Sequence, residues 1–432
     1  MRRGADMDME TRPRSAVSMA VGLVGLAGLA LWLIVARWFG MDGPLAGLVA
    51  VAACGLPMVV WSLAVERVHR NPSTGLDWSR PLRPWRETID ISLAKLTGLW
   101  ATWALIAFAY CLGRWYWDGG YLFAMEVLQT AVPVLLIISL PYVFWIDRRL
   151  AEPRDGAHAF GQFLLGQGTA DRAALADHFR SWTVKGFFLA FMISIVPGNY
   201  AEFIRTPLEH LGRGPVEIAR WLIALMFLID VAFATVGYVL TCRPLDAHIR
   251  SANPYLGGWV AALICYPPFI LMNPGGPLDH HSGTADWTWW LDGHPLLLGI
   301  VGAVLVLLTG YYAWATVAFG LRFSNLTHRG ILTHGPYRWT KHPAYLAKNG
   351  FWWLATTPLA VTTGNPVDIV RNTAVLGLVS GVYYWRARTE EKHLGADPAY
   401  RAYADWMERH APIPRLLRRI RGGRAVAPAA AE

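Results

Sequence analysis

Two short stretches near the C-terminus concentrate residue types that could do chemistry. The first, HGPYRWTKHPAYL, runs from His334 to Leu346, and the second, RARTEEKHL, runs from Arg386 to Leu394. In the first stretch, Tyr337, His342 and Tyr345 combine hydrogen-bond donors with aromatic faces. Such a set would suit a cationic ligand with polar ends, because aromatic faces attract cations.

Turns should bring the three side chains of the first stretch to one place. Gly335-Pro336 predicts one turn and His342-Pro343 another, and a proline suits the first turn of a helix that re-enters the membrane. The alternative is an aromatic belt at the level of the lipid head groups, in which Arg338 and Lys341 contact anionic lipid. The first stretch by itself leaves both interpretations open.

The second stretch favours a binding site. Arg386 and Glu390 are four residues apart and therefore share one face of a helix, with Arg388 and Glu391 beside them. The alternative is an ion pair on a solvated helix end, which would contribute only about 0.2–0.5 kcal/mol. Close to the Tyr and His residues, however, the same side chains offer a cation for a carboxylate and anions for an ammonium group or a developing proton. An amino-acid moiety carries the complementary charges.

Composition indicates which elements must position these residues. Of the 432 residues, 54% are hydrophobic and 16% charged, and 22 are Trp, which is too apolar and aromatic for an ordinary soluble domain. The formal net charge of +9 does not indicate nucleic-acid binding, because the Arg residues lie in short stretches between apolar runs. The four Cys residues form no C-x-x-C pair, so neither a disulfide framework nor a Cys-based zinc site is expected.

The apolar runs predict an all-α fold, a polytopic transmembrane helical bundle of about ten spans. The expected spans cover residues 16–36, 43–65, 89–113, 121–146, 183–198, 216–241, 255–272, 294–320, 347–362 and 367–385. The ninth span is short and is broken at Thr356-Thr357-Pro358, so a helical hairpin with the tenth is an alternative to two independent spans. Between residues 147 and 182, the run TADRAALADHFRSW predicts a short interfacial helix with a Thr or Asp cap.

Arg and Lys are more abundant on the side of this topology that includes both termini. By the positive-inside rule, we expect a multi-pass protein of the cell inner (plasma) membrane, with both termini and both C-terminal stretches in the cytoplasm. The first apolar run should be a retained helix and not a cleaved signal peptide. The expected domains are a cytosolic tail (1–15), an N-terminal transmembrane bundle (16–290), a C-terminal module (291–416) and a basic flexible tail (417–432).

Three charged residues fall within predicted spans, where charge is costly and often functional. Lys95 and Glu126 lie near opposite faces of the membrane and are expected to snorkel, whereas Asp230 lies near mid-span. Asp230 either lines a substrate passage or pairs with a neighbouring Ser, Thr or Trp. The loop DHHSGTADWTWWLDGH has His and Asp at irregular spacing, so it predicts a Trp-anchored cap and no metal site.

The order of the C-terminal motifs resembles a known superfamily. GPYRWTKHPAYL is followed about 40 residues later by RARTEEKHL and then by Gly395, Tyr400, Tyr403 and Pro412. This order is similar to that of the isoprenylcysteine carboxyl methyltransferase and phospholipid N-methyltransferase superfamily, and the resemblance covers about residues 320–416. The chain departs from the family pattern at Lys341, where Arg is usual, and at Ala347-Lys348, where a Gly commonly follows the Tyr-Leu step.

The resemblance implies an integral membrane methyltransferase that uses S-adenosyl-L-methionine at the cytosolic membrane face. Its substrate, reached within the bilayer among membrane lipids, would be lipophilic, with an isoprenyl-cysteine-like carboxylate or a lipid head group as methyl acceptor. The cofactor-binding residues that it implies are Tyr337, His342, Tyr345 and Glu391. The catalytic residues would be Arg386 or Arg388, together with Glu390, nearest the transferred methyl group. The spacing to Leu394 can be aligned with either arginine.

Two other functions remain open from the sequence. A membrane reductase of the steroid 5α-reductase type would share the architecture but would bind NADPH. A non-enzymatic lipid transporter or lipid-handling protein would need no chemistry in the C-terminal module. The residues do not choose the methyl acceptor, and they assign no role to the N-terminal transmembrane bundle.

Overall fold

The computed structural model describes residues 11–167, 171–356, 361–412 and Arg415. Residues 1–10 of the predicted cytosolic tail and the predicted basic tail 417–432 lie outside the described residues. The helices are α1 (Met19–Trp38), α2 (Pro44–Val60), α3 (Trp85–Leu112), α4 (Gly119–Arg149), α5 (Gly156–Leu164), α6 (Arg172–Ile204), α7 (Pro215–Val239), α8 (Leu256–Leu263), α9 (Trp287–Trp290), α10 (Pro295–Val317), α11 (Pro343–Ala355), α12 (Pro366–Leu394) and α13 (Pro398–His410). Two short strands, β1 (Ser251–Ala252) and β2 (Thr327–His328), pair antiparallel.

The described helices confirm the predicted helical membrane fold. Seven of them are long and apolar enough to cross a membrane, by length and composition: α1, α2 with its continuation to Val65, α3, α4, α6, α7 and α10. The last two predicted spans correspond to α11 and α12, which are not among those seven. Tyr345 of α11 contacts Tyr383 of α12, with ring centroids 5.4 Å apart, and Trp353 of α11 donates to Ser380 of α12. α11 and α12 therefore form the predicted alternative, a helical hairpin; Thr357 and Pro358 lie outside the described residues.

α7 and α10 run parallel, so the chain between them must cross the bundle once more. Ala219 of α7 lies against Gly302 of α10, and further along the same pair the Tyr312 hydroxyl donates to Asp230. Two parallel helices cannot be joined without a return segment of comparable length. That return segment lies between β1 and α9 and borders a cavity through Tyr266.

The predicted helical span over residues 255–272 is wrong. Only α8 is helical there, and its eight residues are too few to cross a membrane. The chain then continues without regular helix alongside α12: Gly257 lies against Trp385, whereas the Asp279 carbonyl accepts a hydrogen bond from Arg371 near the other end of α12.

Two consecutive prolines explain why α8 does not extend. Pro267 and Pro268 have no N–H groups to donate, and their rings would clash with the preceding helical turn. Irregular backbone at membrane depth is tolerated where it is packed within protein. The segment meets that condition because α12 covers one of its sides.

The predicted interfacial helix TADRAALADHFRSW is also wrong as a separate element. Asp171 caps a helix as predicted, accepting hydrogen bonds from the Ala173 and Ala174 amides, but that helix is the start of the long α6. Thr169, the other predicted cap, lies outside the described residues. The short helix of this region is instead α5, which packs backbone to backbone on α3. A Cβ atom at Gly161 would lie 1.7 Å from the Ala94 carbonyl oxygen.

The prediction that Lys95 snorkels is wrong. Its side chain is 6% exposed, and its Nζ lies 2.5 Å from Asp147 and 3.0 Å from Asp155. Buried charges are stable when they are paired in this way. Glu126, by contrast, is exposed.

The N-terminal residues of the described chain pack at the end of the bundle that carries β2. The Ser15 hydroxyl lies 2.7 Å from His334 Nδ1, and the Ala16 amide donates to the Ile331 carbonyl at 2.9 Å. Residues 13–16 and the first chemical stretch therefore share one end of the bundle.

Arg329 joins three segments at this same end. It is 3% exposed, and its guanidinium donates only to backbone carbonyl oxygens. The carbonyl groups belong to Gly237, Leu240, Ala247, Leu321 and Phe323. They come from the C-terminal end of α7, where a cation is favourable, from the loop before β1, and from the segment after α10.

Replacement of Arg329 by Lys should destabilise the protein by at least about 2–3 kcal/mol. A lysine ammonium cannot reproduce the planar fork, and each lost hydrogen bond to a charged group contributes about 1.5–3 kcal/mol. The free energy of unfolding is measured by SDS titration of the purified protein in mixed micelles. Arg401→Lys is the matched control, because exposed Arg401 also donates to two carbonyls, and it should change stability by less than about 0.5 kcal/mol. Equal losses in both variants would contradict the assignment.

Candidate functional site

A cavity of about 360 Å³ lies where α6, α7, α10, α11 and α12 meet. This volume falls within the range of about 300–1,000 Å³ that is typical of small-molecule sites. Residues of both C-terminal stretches line the cavity, and its remaining wall includes Tyr266 of the irregular crossing segment. The two stretches, distant in sequence, therefore face a common space.

His342 joins the two stretches directly. It immediately precedes α11, and its ring stacks on that of Tyr345 with an interplanar angle of 4°. Its Nε2 atom lies 3.1 Å from Glu391 Oε1, and its Nδ1 atom lies 3.6 Å from Glu390 Oε2. The imidazole thus lies between two carboxylates at the end of α12.

The two carboxylates have different surroundings. Glu390 lines the cavity and accepts a hydrogen bond from the Tyr345 hydroxyl. Glu391 points to the other side of His342 and pairs with Lys341 at 2.7 Å and Arg388 at 2.8 Å. Burial alone would raise the pKa of Glu391, but hydrogen bonds from His342 and Lys341, with the Lys341 charge, outweigh it and lower that pKa to about 2.

Arg386 is a buried cation of the cavity that no carboxylate pairs among the described residues. It is 3% exposed, and its guanidinium lies 5.6, 5.1 and 5.4 Å from the ring centroids of Tyr266, Tyr345 and Tyr383. One of its nitrogens donates to Asn325 Oδ1 at 3.2 Å. Among the described residues, no carboxylate lies within 4.0 Å of the guanidinium, and its Nε atom is buried without a hydrogen-bond partner.

A buried charge without a counter-ion is costly in a protein interior. The three tyrosine rings offset part of that cost through cation–π attraction, but they cannot accept the unmet Nε–H bond as a carboxylate would. An anionic ligand in the cavity would complete the pairing of Arg386.

Tyr337 is placed by α13. The Tyr403 hydroxyl donates to the Tyr337 carbonyl at 2.6 Å, and the Tyr337 ring packs edge-on against Phe319. Tyr400 and Tyr403, the paired tyrosines of the tail, also line the cavity. α13 therefore forms one wall of the cavity and packs against the first stretch through Tyr403 and Tyr337.

Most of the predicted site residues line one cavity. They are Tyr337, His342, Tyr345, Arg386 and Glu390. Glu391 does not line the cavity, but it contacts two residues that do, His342 and Lys341. Arg388 is also outside, and its side chain is 62% exposed. Of the two arginines that the sequence left open, only Arg386 faces the cavity.

Three residues beside Arg386 were not predicted: Tyr266, Asn325 and Tyr383. Tyr383 could have been found, because it precedes Arg386 by three residues and so shares its helical face. No sequence pattern indicated a functional role for Tyr266, because its segment has the composition of an ordinary apolar span. Asn325 lies in a turn where Leu326 has a φ of 57°, a conformation that apolar patterning does not predict.

Asp230 lies deeper in the cavity. It accepts hydrogen bonds from the Tyr312 hydroxyl and from the Thr316 hydroxyl at 2.5 Å, and it lines the cavity. Lys348 lies 4.4 Å from the centroid of the same Tyr312 ring. Asp230 thus pairs with neighbouring hydroxyls, as one of the two sequence alternatives expected, whereas a substrate passage lined by Asp230 stays a prediction.

The outer loop that contains His280 and His281 forms no metal-ligand cluster in the described part of the chain. Within those residues, no group of three or more His, Cys, Asp or Glu side chains is arranged to bind a metal ion. The two histidine rings pack on each other at 3.9 Å, and Asp279 accepts hydrogen bonds from loop amides.

The pKa of Glu391 gives a pH-dependent prediction. Because that pKa is about 2 in the folded protein and ordinarily 4.5, ionised Glu391 stabilises the fold above about pH 4.5, and this contribution is lost as the pH falls from 4.5 towards 2. The midpoint temperature of the wild type should exceed that of Glu391→Gln at neutral pH, and the difference should shrink across that window. Glu408→Gln, at an exposed position on α13, is the control and should show no such trend. A difference that does not change with pH would contradict the role of the Glu391 charge.

Comparison with known proteins identifies one family match. A family model described as "Protein of unknown function (DUF1295)" matches residues 286–407. The matched region contains α10, α11 and α12 and most of the cavity lining, but neither Tyr266 nor Asp230. No curated protein and no solved structure matches the chain. The similarity therefore concerns the C-terminal region of a membrane protein and assigns no reaction to it.

Proposed function

We propose that the chain is an integral membrane methyltransferase that uses S-adenosyl-L-methionine and acts on a lipophilic substrate at the cytosolic membrane face. One observation carries the proposal: buried Arg386, which has no carboxylate partner among the described residues, shares a cavity with the carboxylate of Glu390. The amino-acid part of the cofactor carries a carboxylate and an ammonium group on one carbon. A cation and an anion at one site are what such a group requires.

Each side chain near the cavity has a specific part in this proposal. Arg386 would donate to the cofactor carboxylate through its unpartnered Nε–H, and Glu390 would accept from the ammonium group. Glu391, held by Lys341, would keep His342 in its orientation against Tyr345. Tyr337 lines the same cavity, supported through its backbone by Tyr403.

The chain's own contribution to the reaction would be positioning and exclusion of water. When bound, the cofactor supplies an electrophilic methyl group. Methyl transfer is an in-line displacement, so the protein must hold the acceptor about 3 Å from that carbon. A carboxylate acceptor needs no base, whereas an amine acceptor must lose a proton, which Glu390 or Asp230 could accept at the cavity wall.

The apolar part of the cavity would hold the hydrocarbon part of the substrate. It is lined by side chains of α6 and α7, namely Phe191, Met192, Ile195, Phe227 and Val231. These side chains lie on helices that are long and apolar enough to span a membrane. A lipid tail could therefore lie along them while its polar end reaches Arg386 and Glu390.

A membrane reductase is the second candidate. The matched family is associated with steroid 5α-reductase-like membrane proteins. The Tyr345 hydroxyl, which donates a hydrogen bond to Glu390, could also donate a proton to a carbonyl substrate. The charges favour the transferase, however. A dinucleotide carries at least two phosphate charges. Of the cations that line the cavity, Arg322 and Lys341 are already paired with Asp246 and Glu391. Arg329 donates to backbone carbonyls and Lys348 interacts with the charge of Asp230, which leaves Arg386 as the lining cation without a carboxylate of its own among the described residues.

Cofactor titration tests the proposal. In isothermal titration calorimetry of the purified protein, S-adenosylhomocysteine should bind and NADPH should not. Binding of NADPH alone would favour the reductase, and binding of neither would contradict both enzymes.

The two arginines provide a matched pair of variants for the same assay. Arg386→Gln should weaken S-adenosylhomocysteine binding by about 10- to 100-fold, because hydrogen bonds to a charged group contribute about 1.5–3 kcal/mol. Arg388→Gln removes the same charge two residues away on the exposed face and should change the affinity less than about 3-fold. A larger effect at Arg388 than at Arg386 would place the ligand outside the cavity.

Comparison of membrane lipids from cells with and without the protein, by mass spectrometry, would identify the substrate. It should be a species lighter than the product by one CH₂.

A further inference from the structure

A second, larger cavity, to which the proposed function assigns no role, lies in the N-terminal transmembrane bundle. Its volume is about 700 Å³, and it is bordered by α3, α4, α5, α6 and the loop of residues 241–250. We call it the basic cavity. It shares no lining residue with the cavity that contains Arg386.

Four cations line the basic cavity: Lys95, Lys185, Arg243 and Arg250. Lys95 is neutralised by Asp147 and Asp155, and Arg250 lies 3.6 Å from Asp246. Two of the four cations therefore have a carboxylate within 4.0 Å, although Arg250 shares Asp246 with Arg322, which lies closer to it at 2.8 Å.

Lys185 and Arg243 have no such partner. Lys185 donates to the Thr241 hydroxyl and lies 5.1 Å from the centroid of the Trp182 ring, and Arg243 donates to the Thr74 carbonyl at 3.2 Å. Within the described residues, no carboxylate lies within 4.0 Å of either cation. Two carboxylates, Asp155 and Asp177, also line the cavity, and the charge of Asp155 acts on Arg243 at longer range. Lys185 and Arg243 are therefore the lining cations without an ion pair among the described residues.

Unmet hydrogen-bonding groups lie beside these cations. The Nδ1 atom of His248 and the Nε atom of Arg250 are buried without a partner among the described residues. Burial, followed by the charge of Arg243, lowers the pKa of His248 to about 3, so this imidazole is neutral and adds no further charge. A ligand with several acceptor oxygens would satisfy both the cations and the Nε–H group of Arg250.

The opposite part of the wall is apolar. It is formed by Leu99 and Trp103 of α3 and by Leu135, Ile138 and Val143 of α4. These side chains belong to helices that are long and apolar enough to cross a membrane. The basic cavity is thus cationic at one end and apolar at the other.

We infer that the basic cavity binds a lipid with a phosphate-bearing head group, its phosphate contacting Lys185 and Arg243 and its hydrocarbon chain lying against α3 and α4. Arg presents a planar fork that matches phosphate oxygens, and Lys adds a point charge. Free phosphate offers the same head-group chemistry but would leave the apolar wall without a partner. This inference does not depend on the methyltransferase proposal.

Photo-crosslinking tests the inference on the full-length wild type. Phosphatidic acid with a diazirine in one acyl chain is added to the purified protein in mixed micelles, and labelled peptides are identified by mass spectrometry after illumination. We expect adducts in the parts of α3 and α4 that contain Leu99, Trp103, Leu135 and Ile138. Adducts confined to the exposed outer faces of the bundle, such as that of Leu31 and Ile34, would overturn the inference.

Competition identifies the source of the phosphate. Excess inorganic phosphate should leave the labelling in place, because it cannot replace the contacts of the chain. Loss of the labelling in inorganic phosphate would show that the ion is the ligand and would overturn the lipid assignment.

Paired variants test the two cations. Lys185→Gln/Arg243→Gln should reduce the labelling of α3 and α4 by about 10-fold or more, because contacts to charged groups are lost. The matched control is Arg70→Gln/Arg86→Gln, which removes two exposed charges outside the basic cavity and should change labelling less than about 2-fold. Equal losses would indicate general surface attraction and contradict the site. Lys185→Arg/Arg243→Lys should retain labelling, and the wild-type adduct map decides the question if the double Gln variant does not fold.

Discussion

Arg329 satisfies the backbone at the end of the bundle on which the candidate site depends. The carbonyl groups that it binds leave regular helix within a small volume, and a buried carbonyl without a donor costs about 1–3 kcal/mol. A guanidinium can satisfy several of them at once because it carries five N–H donors in one plane. By fixing the segment after α10, Arg329 also fixes Asn325, whose side chain contacts Arg386. The geometry of the site thus follows from a residue that takes no part in its chemistry.

The buried cations of this chain differ in what surrounds them, and the difference separates structure from function. Lys95 has carboxylate partners and Arg329 has carbonyl partners, so both are satisfied within the protein. Arg386 has tyrosine rings and one amide oxygen, which leave part of its hydrogen-bonding capacity unused. Lys185 has only a hydroxyl and an indole ring. Because an unpaired buried charge is destabilising, sites of the last two kinds are where a ligand would increase stability most.

Much of the candidate site could be predicted from the sequence because it depends on local spacing. The turn at His342 and the four-residue interval between Arg386 and Glu390 were enough to expect that these groups face one another. The choice between Arg386 and Arg388 needed the structure, since residues two apart on a helix point about 200° away from each other. Tyr266 could not be predicted, because its position depends on the early end of α8. The apolar composition of the segment gives no sign of that end. The pairing of Lys95 with Asp147 was equally invisible, because the two lie on different helices.

The contact between residues 13–16 and residues 331–334 has a consequence for membrane topology. It requires an even number of passages through the bilayer between Ala16 and Ile331, and the irregular passage beside α12 supplies the one that the regular helices lack. Arg14, which is exposed and precedes Ser15, lies at the same end of the bundle. A compartment-specific label attached to a cysteine at position 14 would therefore also report which aqueous phase a water-soluble metabolite must come from to reach Arg386.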